Sequence, residues 1–277
     1  MITQPIHDYT LSTEELAMAL SLVNRPDLGK LVLLDNLGEL SPMAIEERLK
    51  AASHSLLARK FAHIGKRGLA SLDDELQRTL ASLILFNGMI QVVINQTLPV
   101  ITNFHLGLDQ RCVAHWVEQG VVHRLVLTEV KHLPQLISDL PSLPQQIAAK
   151  LEAGIAKNAF RLSMETFAEL TELDFDAGLK ILIENGLDSR LAKVLLLDLL
   201  EPRMRGSVNL LSIDSKNMEQ GNSMSGTPGL FFATGKSAWI VAFSGVQQVG
   251  RLLAGTTAMF EKCIRELLEK RTNAFSS

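Results

Sequence analysis

The sequence can be laid over itself. At an offset of 125, the distance from Leu106 to Phe231, Leu108 also meets Ala233, Arg111 meets Lys236, Gly120 meets Gly245 and Val121 meets Val246. At 127, the distance from Arg124 to Arg251, Leu125 meets Leu252, Leu133 meets Phe260, Ile137 meets Ile264 and Leu140 meets Leu267. Solenoid repeats have periods of about 20–50 residues, so a period this long predicts a duplicated domain whose halves form a pseudo-two-fold pair. The expected halves are residues 1–141 and 142–277, with Pro141 and Pro144 marking the boundary.

Local signals give each half the same order of elements. Ser12 with Glu15 three residues on is a capping box, and Leu16, Ala19, Leu20 and Val23 continue it as an apolar helical stripe. Asn24-Arg25-Pro26 ends that helix, and Ser41-Pro42 opens another. Ser53 or Ser55 is expected to start a further helix through Phe61, broken at Gly65 and Gly68, and Ser71–Leu85 reads as the next. Alternation then replaces the helical period. Ile90–Ile94, Phe104–Leu108, Cys112–Val117 and Val121–Leu127 read as strands, Glu118-Gln119-Gly120 as a three-residue hairpin loop, and Pro134–Leu140 as a closing helix. In the second half Leu162-Ser163-Met164-Glu165 echoes Leu11-Ser12-Thr13-Glu14. Helices run to about Leu200, and Val208–Ile213, Leu230–Thr234, Ser237–Phe243 and Val246–Ala254 form strands ahead of a helix capped by Thr256 or Thr257.

Composition narrows the function classes. Both charge signs are interspersed around a net charge of −3, which offers no broad basic field to nucleic acid or anionic lipid. Cys112 and Cys263 have no CxxC partners and read as buried free thiols of a reducing compartment. No apolar run approaches the roughly 20 residues needed to span a bilayer, and no secretory leader is visible, so a cytoplasmic protein without membrane insertion is expected.

Catalytic patterns are missing. There is no Ser/His/Asp or Cys/His arrangement, no HExxH and no GxSxG, so the chain reads as non-enzymatic, with no catalytic residue and no cofactor. Gly235-Lys236-Ser237 fails as a phosphate loop, because Leu230 stands where the first glycine is required and Lys236 lies between two strands. The histidines of the first sheet are a better candidate. If Val117 pairs with Val121, His115 lies opposite His123, and a symmetrical turn about Gln110 puts His105 opposite His115. Three imidazoles in a row are zinc donors in kind. No carboxylate is placed to support them, however, and the second sheet has no histidine. Partly exposed, hydrogen-bonded histidines and no metal are the expectation.

Two surfaces remain for macromolecular partners. Residues 41–67 carry two expected short helices followed by Lys66 and Arg67, with Arg59, Lys60 and His63 nearby, a pattern suited to a winged-helix-like DNA-binding regulator. Glu46, Glu47 and the overall charge argue against it. The connection Asp214–Pro228 is seven residues longer than its counterpart, since the offset grows from 118 (Ile90 to Val208) to 125 across it. It is polar and holds Met218 and Met224. Beside Phe231, Phe232 and Trp239, these residues form the expected partner-binding site, with methionines adapting to an apolar, helical protein client.

The order of elements resembles the EspG-type chaperones of ESX (type VII) secretion. The likeness rests on Leu11-Ser12-Thr13-Glu14-Glu15-Leu16, the hairpins of Arg111–Leu127 and Lys236–Leu253, and the closing helices. It spans nearly the whole chain and is architectural. It implies an α+β fold of two pseudo-two-fold related halves, each a helical bundle followed by a three-stranded antiparallel meander and a closing helix, sharing a central sheet. It further implies a cytosolic chaperone that grips the tip of a helical secreted client through its C-terminal half, with Asp214–Pro228 and neighbouring sheet residues at the client site.

Overall fold

Strand β1 (His7–Ser12) runs directly into helix α1 (Thr13–Leu22), and Ser12 makes the join. Its hydroxyl accepts the Glu15 N–H at 3.1 Å, and the Glu15 carboxylate accepts the Ser12 N–H at 2.9 Å, so the capping box is closed. Helix α2 (Pro26–Leu37) begins on proline and ends at Gly38, whose φ of 74° favours a residue without a Cβ. Helix α3 (Pro42–Ala58) is capped by Ser41, which accepts the Ala44 N–H at 3.2 Å. The computed structural model describes all residues except 1–6, 66–67, 87, 96–98, 108, 159, 171, 214–223, 245–248 and 275–277.

Helix α3 does not restart at Ser53 or Ser55. The Ser53 hydroxyl donates to the Lys50 carbonyl at 3.1 Å, and that of Ser55 donates to Glu15 at 2.7 Å, so neither is free to cap a new helix. After α3 comes an antiparallel hairpin, β2 (Ala62–Ile64) with β3 (Ala70–Leu72), and then α4 (Asp74–Ile84), whose cap is Asp73 and not Ser71. A helix-turn-helix requires two helices, whereas the described residues of this segment hold one helix followed by strand β2, so the DNA-binding reading of residues 41–67 finds no support.

The remaining elements are β4 (Gly88–Asn95), β5 (Val100–Leu106), β6 (Arg111–Glu118), β7 (Val122–Glu129), α5 (Leu133–Asp139), α6 (Ala149–Asn158), β8 (Arg161–Ser163), α7 (Met164–Leu170), α8 (Phe175–Glu184), α9 (Ser189–Leu200), β9 (Met204–Ile213), β10 (Met224–Thr234), β11 (Ala238–Ser244), β12 (Val249–Ala254) and α10 (Thr257–Ala274). The chain is therefore α+β. It divides into two compact units, Met1–Met89 with Thr102–Val130, and Ile90–Ile101 with Lys131–Ser277.

In the first unit the strands lie in the order β1-β7-β6-β5. Leu11, Val113, Leu125 and Leu127 on one sheet face meet Leu16 of α1, Leu56 of α3 and Leu76 and Leu80 of α4. In the second unit the order is β4-β9-β10-β11-β12-β8. There Trp239, Val241 and Leu252 meet Phe167 and Leu170 of α7, Leu182 of α8 and Leu191 and Leu195 of α9. Both units place a short strand ahead of a serine-capped helix. Leu11 pairs with His123 and Leu162 with Gly250; Ser163, like Ser12, accepts an N–H from three residues on, that of Thr166 at 3.1 Å. Among the described residues no helix is long and apolar enough to cross a membrane.

Candidate functional site

The long hairpin of the second unit carries most of the expected partner-binding residues. Strands β9 and β10 pair from Met204↔Thr234 to Ile213↔Met224, with a register break between Pro228 and Leu230. Proline has no N–H to give a ladder, and a bulge is one of the few places a sheet tolerates it. Residues 224–228 thus belong to a strand, not to the connection in which the sequence placed them. Only 214–223 join the two strands. Met218 lies outside the described residues, and Met224 stands at the far end of β10.

The aromatic residues of this site split between two faces. Phe231 is half-buried, with its ring 4.7 Å from that of Phe167 and inclined at 66°. Its neighbour Phe232 points the other way, as successive strand residues must, and is fully buried with its ring 5.2 Å from that of Phe260 in α10. Trp239 is also fully buried. The sheet is covered on both faces here, so Phe232 and Trp239 serve as core and offer no surface to a partner in this conformation.

Trp239 leads to a residue that the sequence reading missed. Asp198, near the end of α9, is buried, and its carboxylate accepts the Lys236 N–H at 2.7 Å, the Ser237 N–H at 3.1 Å and the indole N–H of Trp239 at 2.8 Å. The Gly235-Lys236-Ser237 turn between β10 and β11 is closed further by the Gly235 N–H on the Ser237 carbonyl at 2.8 Å. A phosphate loop directs such N–H groups at its ligand; here a carboxylate takes two of them, which removes the phosphate-binding reading on chemistry as well as spacing. The available signal was the period. Asp198 follows Leu191 by seven and Leu195 by three, which puts it on the buried stripe of α9.

The histidines of the first unit come together, but not in the expected register. Both turns have moved by one residue: Glu118 pairs with Val122 and Val117 with His123, so His115 faces Leu125, and across the other turn Leu106 pairs with Cys112, so His105 faces Val113. The three imidazoles are therefore diagonal neighbours on one sheet face, still within reach of one another. The His115 Nε2 and His123 Nδ1 atoms are 3.0 Å apart with the rings stacked at 5.3 Å, and the rings of His105 and His115 are 6.2 Å apart. His105 also meets the Phe86 ring edge-on at 4.7 Å.

These side chains are far less exposed than expected. His105 and His123 are buried, and among the described residues neither ring nitrogen of His105 has a hydrogen-bond partner. His123 Nε2 is 3.3 Å from the Thr13 hydroxyl, which donates to the Val121 carbonyl at 3.2 Å. With the hydroxyl proton committed to Val121, His123 donates from Nε2 to Thr13 and accepts on Nδ1 from His115 Nε2. Both are then neutral. Burial pushes His105 down to about 4; burial, followed by the charges of His123 and His105, pushes His115 down to about 3. Burial lowers His123 as well. Among the described residues no group of three His, Cys, Asp or Glu side chains is placed to hold a metal ion.

Helices clustered on antiparallel strands in each of the two units give this chain an EspG-like fold. One solved structure with this likeness is that of the Mycobacterium tuberculosis type VII secretion system chaperone EspG5, determined in complex with a PE25–PPE41 dimer. The two share a TM-score of 0.64 over 95% of this chain and 96% of that one, at 11% sequence identity. At that identity the likeness is one of fold alone. No family model and no curated protein sequence matches the chain.

Proposed function

We propose that this protein is a non-enzymatic, cytoplasmic chaperone that binds a helical protein client through its second unit. The observation that carries the reading is the fold correspondence along nearly the full length of both chains, with a protein whose own structure contains a bound protein dimer. We assign the client site to the far end of the β9–β10 hairpin, around Met218, Met224 and the connection 214–223; the half-buried Phe231 lies seven residues further along β10, toward its other end. Phe232 and Trp239 act from beneath by fixing the hairpin. Methionine suits this role, since its unbranched, polarizable side chain adapts to more than one apolar surface. The buried carboxylate under the neighbouring turn supports the reading too, because it holds the base of the hairpin to α9 whatever its tip engages.

The test is co-purification from the native host of the tagged full chain and of a variant in which residues 214–223 are replaced by a short Gly-Ser linker. A helical protein retained by the first and lost by the second, with Trp239 fluorescence unchanged, is the expected result. Equal retention by both would remove the hairpin as the client site. Recovery of the chain without any stoichiometric protein partner would remove the chaperone reading itself.

A further inference from the structure

The row of imidazoles on the first unit's sheet is independent of the client reading and has a consequence for how that unit responds to acid. His105, His115 and His123 sit on the face packed by α1 and α4, among Leu11, Val113 and Leu125. The close pair His115–His123 is satisfied while both rings are neutral, and His105 makes no hydrogen bond among the described residues. Thr13 can accept from His123, and His123 from His115, as long as each ring keeps one lone pair. A proton on either ring of the close pair can be shared across the 3.0 Å contact, but a second would set two cations face to face at a ring separation of 5.3 Å. His105 has no protein acceptor for a second N–H among the described residues.

Among the described residues, the charged groups on the packed elements are engaged elsewhere or exposed, apart from one buried carboxylate oxygen of Asp73, which lies beside Tyr9. On β1, His7 pairs with Glu75 at 3.2 Å, Asp8 with Arg124 at 2.9 Å, and Tyr9 is held beside Asp73 and Glu75. On α1, Glu14 takes Arg48 and Glu15 takes Arg59. On α4, Glu75 also takes Arg78, and Asp74 is exposed. On β6, Glu118 accepts the Trp116 indole N–H, and Arg111 stands opposite Glu129 of β7 at the other end of the pair of strands. Strand β5 contributes no carboxylate.

We propose that His105, His115 and His123 form a proton-operated switch that loosens the first unit, and not the second, in mild acid. The sign follows from the proton balance. The folded unit holds these imidazoles neutral below the pH at which a free one charges, so the open state binds more protons between about 6.5 and the folded values near 4 and 3. The stability they confer is therefore complete above about 6.5 and drains away as pH falls. Between pH 7.5 and 5.5 each imidazole that regains an ordinary value on opening multiplies the opening constant by about tenfold, and His105 and His115 together by about a hundredfold.

The experiment is hydrogen–deuterium exchange of the full chain at pH 7.5 and 5.5, corrected for intrinsic rates and resolved by mass spectrometry into peptides of each unit. Peptides from α1 and β7 should show about a hundredfold rise in opening that peptides from α9 and β11 lack. The double variant His105→Leu, His115→Gln should reduce the rise to tenfold or less. An equal rise in both units, or an unchanged rise in the variant, would overturn the proposal. A measurement on the unmodified chain stands beside it in case the variant does not fold. The imidazole Cε1–H resonances of His105 and His115 should stay at their neutral positions down to pH 5 in the folded chain, whereas those of the urea-unfolded chain move around 6.5. Titration of both near 6.5 in the folded chain would equally overturn it.

Discussion

The indole N–H of Trp239 and the carboxylate of Asp198, 2.8 Å apart in the core of the second unit, tie strand β11 to the end of helix α9. The same carboxylate holds two N–H groups of the preceding turn, so one side chain fixes a helix end, a turn and a strand. Asp198→Ala leaves the buried indole N–H and the turn donors without their acceptor, and is expected to lower the stability of the second unit by about 3 kcal/mol. Trp239→Phe removes only one of the three bonds and should cost less. In the Trp239→Phe background the Asp198→Ala cost should shrink by about 1 kcal/mol, the coupling expected of partners in direct contact. Urea unfolding of the four proteins, followed by far-UV circular dichroism, measures all of these values; strict additivity would show that the pair is not coupled.

Glu15 does three jobs at once in the first unit. It accepts from the Ser12 N–H, from the Ser55 hydroxyl and from Arg59, which binds it at 2.7 Å. Burial alone would raise its carboxyl; the hydrogen bonds from Ser55, Ser12 and Arg59, with the Arg59 charge, outweigh that and hold it below the ordinary value of 4.5. A lowered folded value means that the unfolded chain binds more protons just below 4.5. The contribution is therefore complete above 4.5 and is lost as pH falls through the folded value. Glu15→Ala should cost about 2–4 kcal/mol at pH 7, with a smaller difference from the unmodified chain at pH 3.5. A pH-independent difference would indicate that the loss is one of packing alone.

Gly206 has no room for a side chain. A methyl added there would overlap the Val93 carbonyl oxygen of β4 and the ring of Phe232. Backbone and a fully buried aromatic ring are both poor at yielding, so Gly206→Ala should destabilise the second unit by about 2–3 kcal/mol. Adding Phe232→Leu frees space on one side and should recover part of the loss, although it forfeits apolar burial of its own. Thermal unfolding of the single and double variants tests this. An unaffected Gly206→Ala protein would show that β4 and β9 separate more readily than their packing suggests.

How much of this was legible depends on how local each determinant is. Ser12 with Glu15 and Ser41 with Pro42 are decided within a few residues, and both stand where the sequence put them. Ser55 misled because its partner is Glu15, forty residues away, a contact that no local pattern carries. The β2–β3 hairpin was hidden because its three-residue strands are too short to show alternation. The histidines were found by type, but their register was off by one residue at each of two turns. Their burial was missed because it depends on which helices cover the sheet. Asp198 sat in plain view on an apolar stripe. Only the fold shows that a tryptophan and a turn arrive to meet it.

The two cysteines offer an independent reading of each unit, because Cys112 lies in the first and Cys263 in the second, and both are buried and outside any disulfide. Burial pushes the Cys112 thiol well above its ordinary range, which suppresses the thiolate that reacts with disulfide reagents. Neither thiol should be modified by 4,4′-dithiodipyridine in the folded chain on the timescale of minutes, while both should react at once in urea. The reagent works in acid, so the comparison extends to low pH. Modification of Cys112 should then accelerate as the pH is lowered from 7.5 to 5.5 relative to a Cys263 that stays protected, with single Cys112→Ala and Cys263→Ala variants assigning each phase. Rapid labelling of both thiols at neutral pH would mean that the units open far more often than their closed cores imply, and would count against the packing described for each.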